Sequence, residues 1–344
     1  MDGGRLTEAI RLYTRATRVR PSWSEGWWHL GTLCFDSSRF AEGRDAFLHF
    51  VEVEKKQPGP GFGMLGLSEF QLKHYPQALN ALERGWKLGL GSNPEFLHTA
   101  LFHLGILHAR MDEPEIAVER LTLLANQIAA AHPEAAKDAV LSAGDLISAL
   151  GIAGLRIPKL PSEIPPSQNS LVQQAGHAQA LIALQEGVAA DAELKKLVAD
   201  YPSEPGVHYM YGVFLLKEHP PAAVDEFRRE IEIAPKNAAA HTQLALEFLR
   251  TGDYEQGLKY AQEAVGLAPQ NFVAHVAYGR LWLAVGKTEP ALQELRTAVK
   301  LAPSSPDAHF ALSRALSEAG NNVEAAHERA EFERLQALSQ AAER

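Results

Sequence analysis

Four prolines divide the second half of the sequence into segments of nearly equal length. Pro202, Pro235, Pro269 and Pro303 are separated by 33, 34 and 34 residues. Each ends an apolar segment, in the stretches LVADYP, IEIAP, VGLAP and VKLAP. A period of about 20–50 residues indicates supersecondary units that stack and bury a shared apolar face. We therefore expect this chain to fold as a repeat array.

The residues between the prolines follow one template. A first helix carries a large residue followed by a small one: Tyr211-Gly212, Leu244-Ala245, Tyr278-Gly279 and Leu312-Ser313. A turn follows, and a second helix has a small residue near its start: Ala223, Gly257, Ala291 and Ala325. Helices whose axes lie about 8–10 Å apart need small side chains where they cross. The template predicts helix–turn–helix units, each ended by a proline that pushes the preceding residue out of the α region.

This pattern resembles the tetratricopeptide repeat, a helix–turn–helix unit of about 34 residues. The match is strong over residues 202–337 and looser in the first half, where Gly31, Gly66 and Gly105 stand 35 and 39 residues apart. The resemblance implies an all-α fold, a TPR-type α-solenoid in which antiparallel helix pairs form a right-handed superhelix. The period implies about eight to nine units.

The repeat template can be followed in both halves of the sequence but not between them, which predicts two blocks with an irregular middle. Residues 1–155 form an N-terminal block that starts in the middle of a repeat, and residues 171–337 form a C-terminal block followed by a helical tail at 338–344. Between the blocks, the proline density of 156–170 excludes a helix and predicts an extended connector. Residues 134–155 are predicted to form one helix without a clear partner.

The beginning of the sequence leaves two interpretations open. Its first predicted helix, with Ala9, Tyr13 and Ala16, matches the second half of a repeat. Either the chain is truncated, or a neighbouring molecule supplies the missing helix. The compartment stays unknown for the same reason. The sequence as written indicates the cytoplasm, whereas a truncated start would be compatible with a periplasmic or secreted protein.

Composition narrows the classes of function. A net charge of −9 disfavours a general nucleic-acid binder, because an acidic surface repels phosphate. The single cysteine, Cys34, cannot form a disulfide within the chain, and we expect it to be a buried structural thiol. No apolar run approaches the roughly 20 residues of a membrane span. The apolar content of 46% is typical of a folded chain.

The sequence contains no constellation that indicates catalysis, a cofactor or a metal. His98, His103 and His108 are five residues apart and do not share a helix face. Another three histidines recur at one repeat position, too far apart to bind one ion, and are predicted to be partly buried packing residues: His241, His275 and His309. An acidic cluster is predicted to be a solvated face: Asp225, Glu226, Glu230 and Glu232. We therefore expect a chain that is not an enzyme, with no cofactor and no metal.

The resemblance implies that the first helices line a concave groove that binds an extended peptide or a partner's helix. The candidate partner-binding residues are Trp28, His29, Phe35, Met64, Phe70, Phe102, Arg110, Tyr209, Lys217, Gln243, Arg250, Arg280, Phe310 and Arg314. Those of the first block are mainly apolar and suit an apolar or amphipathic segment. Those of the second block include a row of cations that would attract an acidic segment, unless these are ordinary solvated charges.

These observations predict a non-catalytic scaffold or adaptor that binds a protein or peptide partner in its concave groove. The alternative is a structural or assembly subunit that self-associates end to end through the incomplete N-terminal repeat. Nucleic acid is not an expected partner, no membrane span is expected, and a homo-oligomer is left open.

Overall fold

A computed structural model describes residues 3–342 of the chain. Within this range the regular secondary structure consists of nineteen α-helices and three short 3-10 segments, with no strand. The predicted all-α class is confirmed. The predicted N-terminal block and helical tail each include two residues outside the described range, and within that range the last helix runs continuously into the predicted tail.

The chain divides into two compact units between Leu197 and Val198. This division lies after the predicted connector at 156–170, because the helix that follows the connector packs against the one before it. The first unit contains α1 (Gly3–Val19), α2 (Ser24–Asp36), α3 (Phe40–Val53), α4 (Gly59–Gln71), α5 (Tyr75–Leu88), α6 (Pro94–Arg110), α7 (Pro114–Ala131), α8 (Ala136–Leu141), α9 (Gly144–Gly154) and α10 (Asn169–Ala183).

Helix α11 (Gly187–Asp200) spans the division. The second unit contains α12 (Val207–Leu215), α13 (Pro220–Ile233), α14 (Ala238–Thr251), α15 (Tyr254–Leu267), α16 (Phe272–Ala284), α17 (Thr288–Leu301), α18 (Pro306–Glu318) and α19 (Asn322–Ala342). The 3-10 segments are Pro133–Ala135, Pro161–Glu163 and Pro166–Gln168.

Helix pairs build both units, and small residues lie where the paired helices cross. In the second unit, a Cβ added at Gly212 would lie 2.7 Å from the Phe227 ring, and one at Gly279 would lie 2.5 Å from Leu295. In the first unit, a Cβ at Gly105 would lie 2.5 Å from Leu121. The predicted large-then-small template therefore has the expected role: the glycine of the first helix admits a large side chain of the second.

The middle of the chain differs from the prediction of a single unpartnered helix over 134–155, which is wrong. The segment forms a 3-10 turn and two helices, and α9 packs against both α7 and α10. At the α9–α10 crossing, a Cβ added at Gly151 would lie 1.9 Å from the Val172 carbonyl oxygen. The two backbones are in direct contact there.

The turn after α9 shows what the connector replaces. Arg156 has a φ of 57°, and Ser38, Lys73 and Asp112 have similar positive values in the turns after α2, α4 and α6. In those three cases a second helix follows. After α9 the proline-rich connector follows instead, so it occupies the place in the chain where a second helix would otherwise begin.

Candidate interaction surface

The first helices of the second unit form its candidate groove. Helix α14 contacts α16, and α16 contacts α18, so these first helices lie side by side. Three large apolar side chains on these first helices are exposed, Val213 by 42%, Val273 by 36% and Phe310 by 44%. Four cations are also exposed, and we call them the basic row: Lys217, Arg250, Arg280 and Arg314.

The members of the basic row differ in how far they are neutralised. Arg250 lies 2.8 Å from the Glu247 carboxylate, and Arg314 lies 3.9 Å from that of Glu318. Arg280 forms no ion pair with any residue in the described part of the chain. Lys217 lies in the turn after α12 rather than on the helix itself.

The other two candidates of this unit are less accessible. Tyr209 is buried, with its ring 5.8 Å from that of Phe227 between α12 and α13. Gln243 is half-buried on α14. Tyr209 therefore contributes mainly to packing of the helix pair.

The aromatic candidates of the first unit mostly pack within their own repeats. The Trp28 ring lies 5.7 Å from Phe47 and 5.2 Å from Phe50 on α3. Phe35 lies 5.3 Å from Phe40 at the start of the same helix. All three contacts join α2 to α3, so these side chains contribute to the hairpin and present only part of their surface.

The remaining first-unit candidates also range from buried to exposed side chains. Met64 is buried, and Phe70 lies 4.6 Å from the ring of His103, which also lies 5.6 Å from Phe102. His29 is exposed, with its ring 5.5 Å from that of Tyr13 on α1. The first-unit candidates therefore form a half-buried aromatic surface rather than a row of free side chains.

Arg110, at the end of α6, binds the connector. Its guanidinium donates to the Pro158 carbonyl oxygen at 3.2 Å, and its Nε lies 3.2 Å from the Glu163 carboxylate. Arg156 forms a second ion pair, with Glu115 on α7. The connector is thus held against the α6–α7 turn, which sequence reasoning did not predict.

Two residues of the predicted solvated acidic face are buried, so that prediction is wrong for Glu226 and Glu230. The Glu230 carboxylate accepts from the backbone N–H of Gly206 at 2.9 Å and of Tyr209 at 3.2 Å. It also accepts from the Asn237 side chain at 2.8 Å. A carboxylate at the N-terminus of α12 satisfies donors that the helix leaves unpaired.

Buried titratable groups elsewhere have structural partners. Burial opposes a charge on His108, but its hydrogen bonds to Glu83 at 3.0 Å and Glu113 at 2.7 Å outweigh that effect and raise its pKa. Burial raises the pKa of the Cys34 thiol, which is buried as predicted.

In the range that the structure describes, no three His, Cys, Asp or Glu side chains are placed to hold a metal ion. No described helix has the length and apolar character to cross a membrane.

Comparison with known proteins identifies the class. The tetratricopeptide repeat family matches residues 1–56, 242–287 and 279–331. The chain therefore carries tetratricopeptide repeats, as the sequence pattern indicates, and its helix pairs form a TPR-type solenoid. Residues 64–139 additionally match the family described as anaphase-promoting complex subunit 5.

Solved structures that resemble this chain include MamA proteins. A crystal structure of MamA has a TM-score of 0.42 and 14% identity, covering 48% of this chain and 96% of that one. Residues 41 to the end of MamA from Desulfovibrio magneticus RS-1 have a TM-score of 0.44 and 18% identity, covering 48% and 95%. No curated protein matches the sequence significantly.

Proposed function

We propose that this chain is an interaction scaffold that binds an acidic, amphipathic peptide segment along the first helices of its second unit. Tetratricopeptide repeats act as protein-interaction scaffolds, and the chain carries several of them. The observation that supports the acidic ligand is the basic row, whose exposed cations lie on or just after the same first helices that carry the exposed Val213 and Phe310. Arg280 is the arginine of this row that forms no ion pair with a described residue.

The chemistry of this surface favours such a ligand over a purely apolar one. Guanidinium groups bind carboxylates by charge-assisted, bidentate hydrogen bonds. An apolar side chain of the ligand would cover Phe310, and burying a side chain of that size contributes about 1.5–3 kcal/mol. Because the chain as a whole carries a charge of −9, a local row of cations would also fix the position at which an acidic segment approaches.

The test measures binding of synthetic peptides that alternate glutamate with leucine or phenylalanine, by fluorescence anisotropy. We expect Arg280→Glu with Arg314→Glu to weaken binding at least about tenfold, which corresponds to about 1.4 kcal/mol. The matched control is Lys259→Glu with Lys300→Glu, the same change of charge at exposed positions on the second helices α15 and α17. Equal binding by the two double variants would contradict the groove as the binding surface.

A second candidate function is end-to-end self-association, and a cleft along α1 favours it. The cleft has a volume of about 600 Å³ and is lined by Thr7, Ile10, Arg11, Thr14, Arg15, Arg18, Val19, Arg39 and Glu42. Val19 is among the most exposed apolar side chains described. An arginine-rich, partly apolar cleft is complementary to a second copy that carries a charge of −9.

Light scattering over a dilution series tests the second candidate. We expect a mass that rises with concentration, and Arg15→Glu with Arg18→Glu should return it to that of the 37.6 kDa monomer. A constant monomer mass for the unmodified chain would exclude self-association. Peptide binding by such a monomer would leave the scaffold function intact.

A further inference from the structure

Three repeats of the second unit place a histidine in the same bridge between their two helices. His208, His275 and His309 lie on the first helices α12, α16 and α18, and all three are buried. Their Nδ1 atoms lie 2.5, 2.6 and 2.5 Å from carboxylate oxygens of Glu226, Glu294 and Glu328 on the second helices. Their Nε2 atoms lie 3.1, 3.0 and 3.0 Å from the carbonyl oxygens of Pro202, Pro269 and Pro303.

The two partners of each ring both require a hydrogen-bond donor. A carboxylate and a backbone carbonyl can only accept hydrogen bonds, whereas a neutral imidazole has a single N–H to donate. Only the imidazolium form satisfies both partners. A neutral ring that keeps its N–H on the carboxylate would leave the Nε2 lone pair facing the lone pairs of the proline carbonyl oxygen, 3.0–3.1 Å away inside the protein, where an unmade hydrogen bond is costly.

We propose that these three His–Glu–proline bridges form a pH-responsive lock, which holds the helix pairs and inter-repeat turns of the second unit together while the histidines are charged. The lock joins three parts of each repeat: the first helix, the second helix and the proline that ends the preceding repeat. Loss of the protons releases the helix pairs from one another and from these turns.

Two other repeats show which part of the bridge is specific. In the first unit, the Trp27 indole N–H donates to the carbonyl oxygen of Pro21 at 2.8 Å, six residues earlier, as in the histidine bridges. Donation to the proline carbonyl thus recurs without a titratable group. His241 occupies the histidine position on α14, but its ring faces that of Tyr260 at 6.0 Å. His241 is therefore the internal control of the second unit.

The charged groups around each bridge leave a carboxylate as the nearest charge to each histidine. Beside His208, Arg229 lies 3.1 Å from the Glu226 carboxylate. Near His275, the Tyr278 phenol interacts electrostatically with the Glu294 carboxylate. Around His309, the His327 ring lies 3.3 Å from Glu328, and Glu331 is paired with Arg334. Each histidine therefore has a carboxylate as its immediate charged neighbour.

The direction of the pH effect follows from the geometry. The hydrogen bond to Glu226 raises the pKa of His208 above 6.5, although burial and Arg229 oppose it. A group whose folded-state pKa is raised stabilises the fold fully below the unfolded value and loses that contribution as pH rises through the folded value. The second unit should therefore lose stability above about pH 6.5.

The test measures the urea midpoint of the second unit in the full chain between about pH 5.5 and pH 9. Samples equilibrated at each pH receive a short hydrogen-exchange pulse at one fixed pH, and peptides from α16–α19 report the folded fraction. We expect the midpoint to fall as the pH rises. In Glu294→Gln with Glu328→Gln, each amide can donate to Nδ1 of a neutral histidine, so the fall should shrink. His241→Gln should keep the unmodified pH dependence.

A fall that is unchanged in the Glu294→Gln, Glu328→Gln variant would overturn the lock. If that variant does not fold, long-range ¹H–¹⁵N spectra of the unmodified chain decide the matter, because they distinguish imidazolium from neutral histidine. An imidazolium signal for His208 at about pH 7, above the free value near 6.5, supports the lock. A neutral signal at that pH would overturn it.

Discussion

Single side chains hold the repeats at points where the backbone leaves groups unpaired. Glu230 is 0% exposed, yet its carboxylate accepts from two backbone N–H groups at the start of α12 and from Asn237. Asn237 in turn caps α14 by accepting from the Ala240 N–H at 3.2 Å. One carboxylate therefore connects the starts of two successive first helices.

We expect Glu230→Ala to destabilise the second unit by about 1–3 kcal/mol or more, because several buried donors lose their acceptor. Urea denaturation at neutral pH measures the change. Glu232→Ala is the matched control: this residue is exposed two positions along the same helix, and its loss should change stability by no more than about 0.5 kcal/mol. Equal effects would mean that the Glu230 hydrogen bonds contribute little.

At the scale of helices, backbone contact decides which elements pair. Helices α9 and α10 cross where Gly151 and Gly176 meet the carbonyl oxygens of Val172 and Ile147. Their sequences are separated by the connector, which is held at the α6–α7 turn by Arg110 and Arg156. The pairing thus closes a long loop, and no local pattern in the sequence marks it.

Gly151→Ala should destabilise the first unit by about 1–3 kcal/mol, because the added Cβ would lie 1.9 Å from the Val172 carbonyl oxygen and the helices must separate. The comparison is Gly266→Ala in α15, where an added Cβ meets nothing within 4 Å. That variant should gain up to about 1 kcal/mol from helix propensity. Urea midpoints that shift in the same direction for both variants would contradict the close backbone contact.

At the scale of the whole molecule, each compact unit has its own buried core. Phe47 and Leu104 belong to a cluster in the first unit, while Leu295 and Leu312 belong to one in the second. In repeat proteins stability is approximately a sum over units and their nearest neighbours. A defect in one core is therefore felt mainly in the unit that contains it.

Phe227→Ala removes a fully buried ring from the second unit and should cost about 3–5 kcal/mol. Hydrogen exchange followed by mass spectrometry should show the loss of protection in α12–α15. Peptides from α4–α7 in the first unit should keep the protection of the unmodified chain. An equal loss in both units would show that the chain unfolds as a single cooperative block.

The sequence by itself determined the helical repeat class, the proline boundaries and the glycines at the helix crossings. These features are local, because a 34-residue unit packs chiefly against its own second helix and its neighbours. It also identified His275 and His309 as residues at one repeat position, although it grouped them with His241 rather than with His208, and the glutamate partners of the three bridging histidines follow 18 or 19 residues later.

Only the tertiary structure decided how those positions are used. It placed Glu226 and Glu230 inside the protein, brought α9 against α10 across the connector, and gave Arg110 a partner within the chain. Burial and partner identity depend on which side chain of another helix faces a given position. A helix period fixes the face of a residue but not what lies opposite it, and the free energy of a charge depends on that environment.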